Sequence, residues 1–486
     1  MRLEIAIKWM NAAATEIDPA LLIREVGSFA IDSREVEPGG VFFALSQPEY
    51  RDNCFNGEFE DATKYVPAAF EQGAAACVVR ADRFDERRAE LERFRSRLIF
   101  VDDAIAALQR LALGIYLDWG KPVVAITGSA GKTTAKELTA HVLSASGRKV
   151  LRNIKNYNNG LGLPLTVLNL AKDNSYDLAV LEMGMSTPMN EIARLCRITP
   201  PDVAVVLNVL PVHVEHLGSI ENVAKAKAEI VEGMKDDGTA VLNADDPLAA
   251  AMAPLGQGRT ITFGFAEDAD VRADNVRFER FGETRFSLAS GGETAEVAFR
   301  LNGKHNILNA LAAAAVGVSF DMPVADIANS LSSVEPPTQR GEVVHFADGF
   351  TVINDSYNSN PAALLSMVDT LVEGSSSTSR RIVVAGEMLE LGESAAAVHR
   401  ETGAKIADAG IDLLIGVRGL AANLIEGARD AGLAAVEFAA DSTAAGERLA
   451  DIIRRGDVVL VKGSRGVRTE AVIEKLSEKY KLEDAG

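Results

Sequence analysis

The sequence has few cysteines and no long apolar run, and these absences exclude several classes of protein. Cys54, Cys77 and Cys196 are odd in number, far apart and without the spacing of a metal site. We expect them to be small buried hydrophobic residues in a reducing compartment. No segment approaches the roughly 18 apolar residues of a membrane helix, and Glu4 and Lys8 interrupt the apolar start, which argues against a secretory signal. The sequence therefore predicts a cytoplasmic protein without membrane insertion.

An excess of basic residues is also missing. Lysine and arginine together number 50 against 69 aspartate and glutamate residues, which gives a formal net charge of −19. A surface for nucleic acid or for an anionic membrane needs a basic face, so neither partner is expected. The hydrophobic content of 47% and the charged content of 24% are ordinary for soluble globular proteins. A local basic pocket for a phosphorylated ligand is compatible with this composition.

The most informative stretch that is present is AITGSAGKTTAKE at 125–137, a glycine-rich loop between a strand-like run and a helix-like run. The usual P-loop has a glycine at the place that Ile126 takes here. Backbone N–H groups in such a loop, together with the start of the next helix, bind phosphate. Lys132 would supply charge to the β- and γ-phosphates and Thr133 a hydroxyl group for magnesium. The residues predicted to contact a nucleotide are Gly128, Ser129, Ala130, Gly131, Lys132, Thr133 and Thr134. A glycine-rich turn with a solvated lysine is the alternative.

The length of the chain predicts about three domains. We place them at 1–118, 119–335 and 336–486, with breakers at 119–122 and at Pro336-Pro337. In all three, strand-like runs alternate with helical stretches, so the predicted fold class is α/β. The central block has near-continuous apolar strands, typical of a parallel sheet covered on both faces, and it is predicted to be the ATP-binding P-loop domain. The alternating stretch at 276–301 predicts an antiparallel meander at the edge of that sheet.

Two strands of the central block place further candidate functional residues at the edge where its parallel strands end. Glu182 ends the strand LAVLEMG, and a carboxylate placed there suits magnesium because burying it unpaired costs several kcal/mol. A cap on a neighbouring helix is the alternative. The strand VAVVLNV leads to His213 and His216, and position alone does not decide which of the two would act.

The helix ENVAKAKAEIVEGM carries a lysine on its apolar face. Lys227 shares the core-facing stripe with Val223, Ile230 and Val231, whereas the opposite face is charged. That charged face is predicted to hold Glu221, Lys225, Glu229 and Glu232. Lys227 either reaches past its apolar neighbours to water or has an amine that is used or modified inside the protein.

Read together, these motifs resemble the Mur ligases, the ATP-dependent amide-forming enzymes of peptidoglycan precursor synthesis, whose loop looks like TGSAGKTT without the early glycine. The likeness is greatest to the MurF type, which adds D-alanyl-D-alanine to a UDP-N-acetylmuramoyl tripeptide. The matching stretches cover nearly the whole chain: DSREVEPGGVFFAL (32–45), NYNNGLGLPLTVLNL (156–170), HLGSIENVAKAKAEI (216–230), GKHNILNALAAAAV (303–316), NDSYNSNPAALLSMVDTL (354–371), GEMLELGE (386–393), HRETG (399–403) and VKGSRG (461–466). The Asp-Asn-Pro-Arg signature of the diaminopimelate-adding type is absent.

The resemblance implies a role for each candidate residue. It implies a smaller α/β N-terminal domain for the UDP-sugar, a central ATP-binding domain and a C-terminal Rossmann-like ligase domain. Lys132 and its loop would hold ATP, with Thr133 and Glu182 on one magnesium ion. The remaining implied roles are a second-metal ligand at His213, a carbamylated lysine bridging to that metal at Lys227, nucleotide contacts at Asn306, Asn309, Arg340 and Asp355, and uridine contacts at Ser33 and Arg34. Lys132, Lys227 and His213 would be the catalytic residues.

The implied reaction proceeds through an acyl phosphate of the acceptor tripeptide, which the amine of D-alanyl-D-alanine then attacks. ATP, two magnesium ions and small-molecule substrates are the expected ligands, and the protein is expected to be a monomer. A separate third domain would exclude water from the acyl phosphate. Two departures from the family pattern are the long segment 46–66 and Glu387, which replaces the usual aspartate. The alternatives are another Mur type, a folylpolyglutamate-type ligase, or a regulatory P-loop ATPase that binds a partner protein.

Overall fold

The computed structural model describes residues 1–13, 16–53, 55, 59–153, 157–185, 190–211, 218–335, 339–376, 378–389 and 391–483. The chain divides into two compact units. The first contains residues 1–270 and 312–322, and the second contains 271–311 and 323–486. The division into three domains that the sequence suggests therefore stays a prediction.

The first part of unit one is a small α/β layer. Its elements are α1 (Leu3–Met10), α2 (Pro19–Leu22), β1 (Phe29–Ala30), β2 (Val41–Phe43), α3 (Gln47–Asp52), α4 (Val66–Glu71), β3 (Ala76–Arg80), α5 (Ala81–Glu86), α6 (Arg88–Leu91), β4 (Leu98–Val101) and α7 (Ala104–Trp119). The strands form a parallel sheet in the order β1-β2-β3-β4. Helix α7 ends at the predicted breaker, because Gly120 takes the left-handed conformation with a φ of 63°.

The second part of unit one carries the glycine-rich loop. Its elements are β5 (Val123–Thr127), α8 (Lys132–Ala145), β6 (Val150–Arg152), α9 (Gly162–Leu168), β7 (Leu178–Glu182), α10 (Glu191–Ile198), β8 (Val203–Val206), α11 (Ile220–Glu232), β9 (Thr239–Asn243), α12 (Pro247–Ala250) and β10 (Arg259–Gly264). These strands are all parallel, in the order β10-β9-β8-β5-β7-β6. Because β5 lies between β7 and β8, the carboxyl ends of these three strands meet, which is where open α/β sheets bind ligands.

One hydrophobic core joins the two sheets of unit one. It contains Phe43 from the first sheet, Leu108 from α7, and Val123 and Leu181 from the second sheet, all of them fully or almost fully buried. Helix α7 thus packs with residues of both sheets. At about 25 cal/mol per Å² of buried apolar surface, a shared core of this kind is the main force that holds the two sheets together.

Unit two contains a meander and a second sheet. Its elements are β11 (Val271–Arg280), β12 (Glu283–Ser290), β13 (Glu293–Phe299), the start of α13 (Lys304–Ser319), α14 (Val324–Ser332), β14 (Glu342–His345), β15 (Thr351–Asp355), α15 (Pro361–Gly374), β16 (Arg381–Gly386), α16 (Ala395–Asp408), β17 (Leu413–Val417), α17 (Ala421–Asp430), β18 (Val436–Ala439), α18 (Ser442–Ile452), β19 (Val458–Lys462) and α19 (Glu470–Lys479). Strands β11 to β13 are antiparallel, as their alternating sequence predicts. The second sheet has the order β14-β15-β19-β16-β17-β18, and only β14 is antiparallel to its neighbour.

The predicted α/β class is confirmed, and one prediction about a helix face is wrong. Lys227 lies on the buried face of α11 as expected, and Glu221, Lys225 and Glu232 are exposed. Glu229 is buried instead, because its carboxylate accepts hydrogen bonds from the N–H groups of Asn190 and Ala193 at the start of α10. Carboxylates are stabilised at a helix N-terminus, which makes this burial favourable.

The two cysteines in the described part of the chain are buried, and burial raises the pKa of both Cys77 and Cys196. Cys54 lies outside the described residues. Among the helices that the structure describes, none is long and apolar enough to cross a bilayer.

Candidate nucleotide and metal site

The loop between β5 and α8 depends on two glycines for its conformation. Gly131 has a φ of +83° at the N-cap of α8, a backbone conformation that residues with a Cβ rarely adopt. A Cβ on Gly128 would lie 2.9 Å from the Cβ of Leu207, so the residue that follows β8 packs directly against the loop. Close packing against Leu207 therefore explains why the first glycine of the loop stands at position 128.

Asn208, which follows β8, holds the loop in place. Its Oδ1 accepts a hydrogen bond from the N–H of Ala130 at 2.9 Å, and its Nδ2 donates to the carbonyl of Ala130 at 3.1 Å. The N–H of Ser129 also donates to the Asn208 carbonyl at 3.1 Å. Sequence reasoning missed Asn208, although an asparagine just beyond a buried parallel strand was a usable signal.

Lys132 folds back over the loop that precedes it. Its Nζ donates to the carbonyl of Gly128 at 2.8 Å. The surrounding protein desolvates the ammonium group and so lowers the pKa of Lys132, while the nearby carboxylate of Glu182 acts in the opposite sense. Lys132 and Glu182 thus lie at the same edge of the sheet, which is the arrangement that the phosphate-site hypothesis requires.

Glu182 has both carboxylate oxygens held by side chains. The hydroxyl group of Thr133 donates to Oε2 at 2.9 Å, and Nδ2 of Asn158 donates to Oε1 at 2.7 Å. The backbone N–H of Glu182 donates to Oδ1 of Asn153, so β7 is fixed at this point as well. Glu182 is 3% exposed. The carboxylate is therefore pre-oriented toward the start of α8.

A hydroxyl group and a carboxylate are oxygen donors that suit magnesium, which binds through one or two protein oxygens, waters and substrate phosphates. Thr133 and Glu182 supply these two donors side by side. Within the described part of the chain, no group of three or more histidine, cysteine, aspartate or glutamate side chains could hold a metal by itself. The donor pair of Thr133 and Glu182 fits magnesium that arrives with nucleotide.

Lys227 is buried without a counter-ion among the residues that the structure describes. It is 3% exposed, and no hydrogen-bond or ion-pair partner contacts its Nζ within those residues. Burial lowers the pKa of Lys227 well below its usual value, and the nearby charge of Lys132 lowers it further. His213 and His216 lie outside the described residues.

In unit two, Asp355 and Lys462 pair where adjacent parallel strands end. They face each other in the register of β15 and β19, and Nζ of Lys462 donates to Asp355 Oδ2. The same Nζ donates to the carbonyl of Asn358 at 2.8 Å. His305 lies close enough to feel both charges: burial lowers the pKa of His305, Lys462 lowers it further, and Asp355 opposes this. Sequence reasoning identified Asp355 and missed its partner.

The other sequence-predicted residues of unit two lie on α13 and before β14. Nδ2 of Asn306 donates to the carbonyl of Asn302 at 2.7 Å, and Nδ2 of Asn309 lies 3.5 Å from Oδ1 of Asn306. The guanidinium of Arg340 stacks over the ring of Tyr357 at 4.1 Å. Such cation–π contact holds the side chain in one orientation.

Ser33 and Arg34 lie on a short 3-10 turn in the first layer, Ser33–Glu35. Ser33 is buried, whereas Arg34 is exposed and pairs with Asp32 through two guanidinium nitrogens. Glu387, the second departure from the family pattern, accepts a hydrogen bond from the N–H of Leu420 at 3.0 Å. Its longer side chain therefore reaches the start of α17.

Comparison with known proteins decides the family. Residues 126–317 match the model of the Mur ligase middle domain, and 339–465 match that of the Mur ligase, glutamate ligase domain. A UDP-N-acetylmuramoyl-tripeptide–D-alanyl-D-alanine ligase of Bacillus subtilis (strain 168) is 34% identical over 456 residues, covering 92% of this chain and 93% of the relative. The chain belongs to the Mur ligase family. A ligase of the same name from Escherichia coli (strain K12) is 34% identical over 458 residues, covering 92% of this Mur ligase and 93% of its own length.

Solved structures agree with this assignment. MurF from Acinetobacter baumannii matches with a TM-score of 0.82 and 25% identity over 98% of this Mur ligase and 99% of the solved chain. MurF from Thermotoga maritima in complex with ADP matches with a TM-score of 0.77 and 28% identity over 93% and 97% of the two chains. The predicted resemblance to the MurF type is confirmed.

Proposed function

We propose that this chain is an ATP-dependent ligase that joins D-alanyl-D-alanine to the tripeptide of UDP-N-acetylmuramoyl-tripeptide. The observation that carries the proposal is the grouping of Lys132, Thr133 and Glu182 where β5 and β7 end. Relatives that bear the name of this ligase align over more than nine-tenths of the chain, which supports the dipeptide as the added group. Another Mur type or a folylpolyglutamate-type ligase has no comparable support.

The reaction has two steps. A carboxylate oxygen of the acceptor peptide attacks the γ-phosphorus of ATP, the bond to the bridging oxygen breaks, and ADP leaves with that electron pair. The dipeptide amine then attacks the acyl carbon, loses a proton, and expels inorganic phosphate as the amide forms. Lys132 and the N–H groups of the loop offset the negative charge that gathers between carboxylate and phosphate.

The nucleotide loop, with Gly128, Ser129, Ala130, Gly131 and Thr134, binds and orients the phosphates. Because the N–H groups of Ser129 and Ala130 donate to Asn208, the donors to phosphate are the N–H groups at the start of α8. Thr133 and Glu182 would hold magnesium, which supplies charge neutralisation at the transferring phosphoryl group when it is bound. A second ion held by His213 and Lys227 belongs to the proposal. Nucleotide contacts at Asn306, Asn309, Arg340 and Asp355, and uridine contacts at Ser33 and Arg34, rest on the family resemblance.

The environment of Lys227 supports a carbamylated side chain. A lysine amine that is neutral at physiological pH attacks carbon dioxide, forms an N–C bond and releases one proton, which leaves a carboxylate at the end of the side chain. Burial and the neighbouring Lys132 favour the neutral amine. The product exchanges a buried potential cation for an anion that Lys132 and a divalent ion can pair.

The remaining proposals concern organisation and setting. We assign the UDP-sugar to 1–118, ATP to 119–335 and the C-terminal ligase role to 336–486. The protein acts as a monomer on small-molecule substrates in the cytoplasm, where ATP is available, and it requires neither nucleic acid nor a membrane.

Phosphate release tests the proposal directly. The assay offers ATP with the UDP-muramyl tripeptide, with D-alanyl-D-alanine, and with both, and the expected result is sustained release only with both. Single D-amino acids, diaminopimelate and glutamate replace the dipeptide as controls for sister ligases. Phosphate release that is independent of the acceptor and of the dipeptide would instead indicate a regulatory ATPase and overturn the proposal.

A further inference from the structure

The loop formed by residues 158–160 is supported from outside the nucleotide site. Nε2 of Gln109, on α7, donates to the carbonyl of Gly160 at 2.8 Å. The ring of Phe55 packs on the same glycine, since a Cβ on Gly160 would lie 3.1 Å from both Gln109 Nε2 and Phe55 Cζ. Gly160 is therefore packed between Gln109 of α7 and the ring of Phe55.

Phe55 is itself firmly held. The residue is 9% exposed, its ring lies 5.0 Å from the ring of Tyr50, and its N–H donates to the carbonyl of Tyr50 at 3.0 Å. Arg194 of α10 donates to the carbonyl of Asn53 at 3.0 Å, two residues before Phe55. The support under Gly160 thus comes from a side chain that is held by contacts of its own.

The other end of the 158–160 loop contacts the magnesium carboxylate. Asn158 donates through Nδ2 to Glu182 Oε1 and accepts, at its carbonyl, a hydrogen bond from the N–H of Gly184 at 2.8 Å. Between these anchors, Oδ1 of Asn159 accepts from the N–H groups of Leu161 and Gly162. Hydrogen bonds thus fix the loop at both ends and in the middle. A shift of the Gly160 backbone is therefore expected to move Asn158 as well.

We infer that Gln109 and Phe55 are positioning residues for the metal carboxylate: they seat Gly160, which sets Asn158, which orients Glu182. This inference rests on the proposed function, because it needs Glu182 to bind magnesium. It gives Phe55, which lies in the long segment 46–66, a role in supporting the metal site. Loss of a group that is hydrogen-bonded directly to a metal ligand, as Asn158 is to Glu182, typically changes metal affinity about 10–100-fold. Gln109 and Phe55 act through Asn158, so we expect the lower end of that range for them.

The adjacent residue on α7 offers a matched control. Nε of Arg110 donates to the carbonyl of Met10 at 3.0 Å, so it also makes one bond from a side chain to the backbone, but to the last residue of α1. Gln109→Glu keeps the shape of the side chain and removes the N–H donor, whereas Arg110→Met removes the comparable bond elsewhere. Gln109→Met is the second variant if the new carboxylate prevents folding.

The experiment measures binding of a non-hydrolysable ATP analogue by calorimetry, once with saturating magnesium and once with EDTA. We expect Gln109→Glu to reduce the magnesium-dependent gain in affinity about 10-fold and to leave the affinity in EDTA unchanged. Phe55→Leu should change binding in the same direction, and Arg110→Met should match the wild type in both conditions. Thermal melts establish that each variant is folded.

Several results would overturn the inference. Equal magnesium dependence in the Gln109 and Arg110 variants removes the positioning role, and so does an equal loss of affinity with and without magnesium. A wild-type protein that binds the analogue equally well in EDTA would instead overturn the metal site of the proposed function, and this inference with it. The wild-type measurement therefore separates the two failures.

Discussion

The hydroxyl group of Thr133 donates a hydrogen bond to Oε2 of Glu182, and the two atoms are 2.9 Å apart. This bond joins the first turn of α8 to the last residue of β7, and the two residues are 49 positions apart in the chain. The parallel register of β5 and β7, which places Ile126 opposite Glu182, makes the contact possible. A phosphate-binding helix start and a carboxylate thus share one edge of the sheet.

Glu182→Gln should reduce kcat/KM for ATP at least about 100-fold with little loss of stability, because the amide keeps the shape of the carboxylate but not its charge for magnesium. Steady-state kinetics over a range of magnesium concentrations measure the effect. Glu232→Gln, at the exposed end of α11, is the control and should leave kcat/KM unchanged. Full activity of Glu182→Gln at ordinary magnesium would contradict the assignment.

Lys227→Met should abolish turnover without lowering the melting temperature, because it removes a buried amine that has no counter-ion among the described residues. Lys225→Met, on the exposed face of the same helix, is the matched control and should behave like the wild type. The carbamate itself is tested by carbon-13 NMR after incubation with labelled bicarbonate. A carbamate resonance is expected in the wild type and not in Lys227→Met; a wild type without it would exclude the modification.

Lys462→Met should raise the pKa of His305, and Asp355→Asn should lower it. The sign follows from the charges: Lys462 disfavours the protonated imidazole and Asp355 favours it, on top of a larger effect of burial. Proton NMR titration of His305 measures both shifts. Shifts in the same direction in the two variants would show that repacking, and not charge, dominates at this site.

The stabilising contribution of Glu49 to the free energy of unfolding should fall as the pH rises from about 4.5 to about 7. Burial raises the pKa of Glu49 from 4.5 to about 7, although the N–H groups of Ser46 and Ala104 and the charge of Arg80 oppose this. The folded state binds more protons than the unfolded state in that window, so the contribution of Glu49 to the unfolding free energy falls with pH and is flat above about 7.

Urea unfolding of the wild type and of Glu49→Gln at pH 5 and at pH 8 measures this contribution. The advantage of the wild type over the variant should be larger at the lower pH, because the glutamine does not titrate. An advantage that grows with pH would mean that the hydrogen bonds to the carboxylate outweigh its burial.

Predictions from the sequence succeed where a single element carries the signal. The loop at 125–137 was recognisable because strand, glycines, lysine and helix are contiguous, and Glu182 because it ends a buried strand. Asn208, Asn158 and Lys462 were missed, because each acts on a residue that is distant in the chain and only the strand order brings them together. His213 remains a prediction.

The error at Glu229 has a different origin. The helical periodicity of apolar residues distinguishes a core-facing side from a solvent-facing side. It does not predict that a charged side chain is buried against the start of another helix. Glu229 is buried there because the N–H groups at the start of α10 replace water as its hydrogen-bond donors. Helix–helix contacts of this type depend on the packing of α10 and α11, which neither segment encodes alone.

Since Phe43, Leu108, Val123 and Leu181 belong to one continuous core, the first sheet and the phosphate loop cannot change their separation without opening that core. An acceptor anchored at one end of this unit would have to span a set distance to bring its carboxyl group to the other. Removing one amino acid shortens an extended peptide by about 3.5 Å, while misplacement by about 1 Å can cost a factor of 100 in rate. Unit one would thus select acceptors by their length, independently of their side chains.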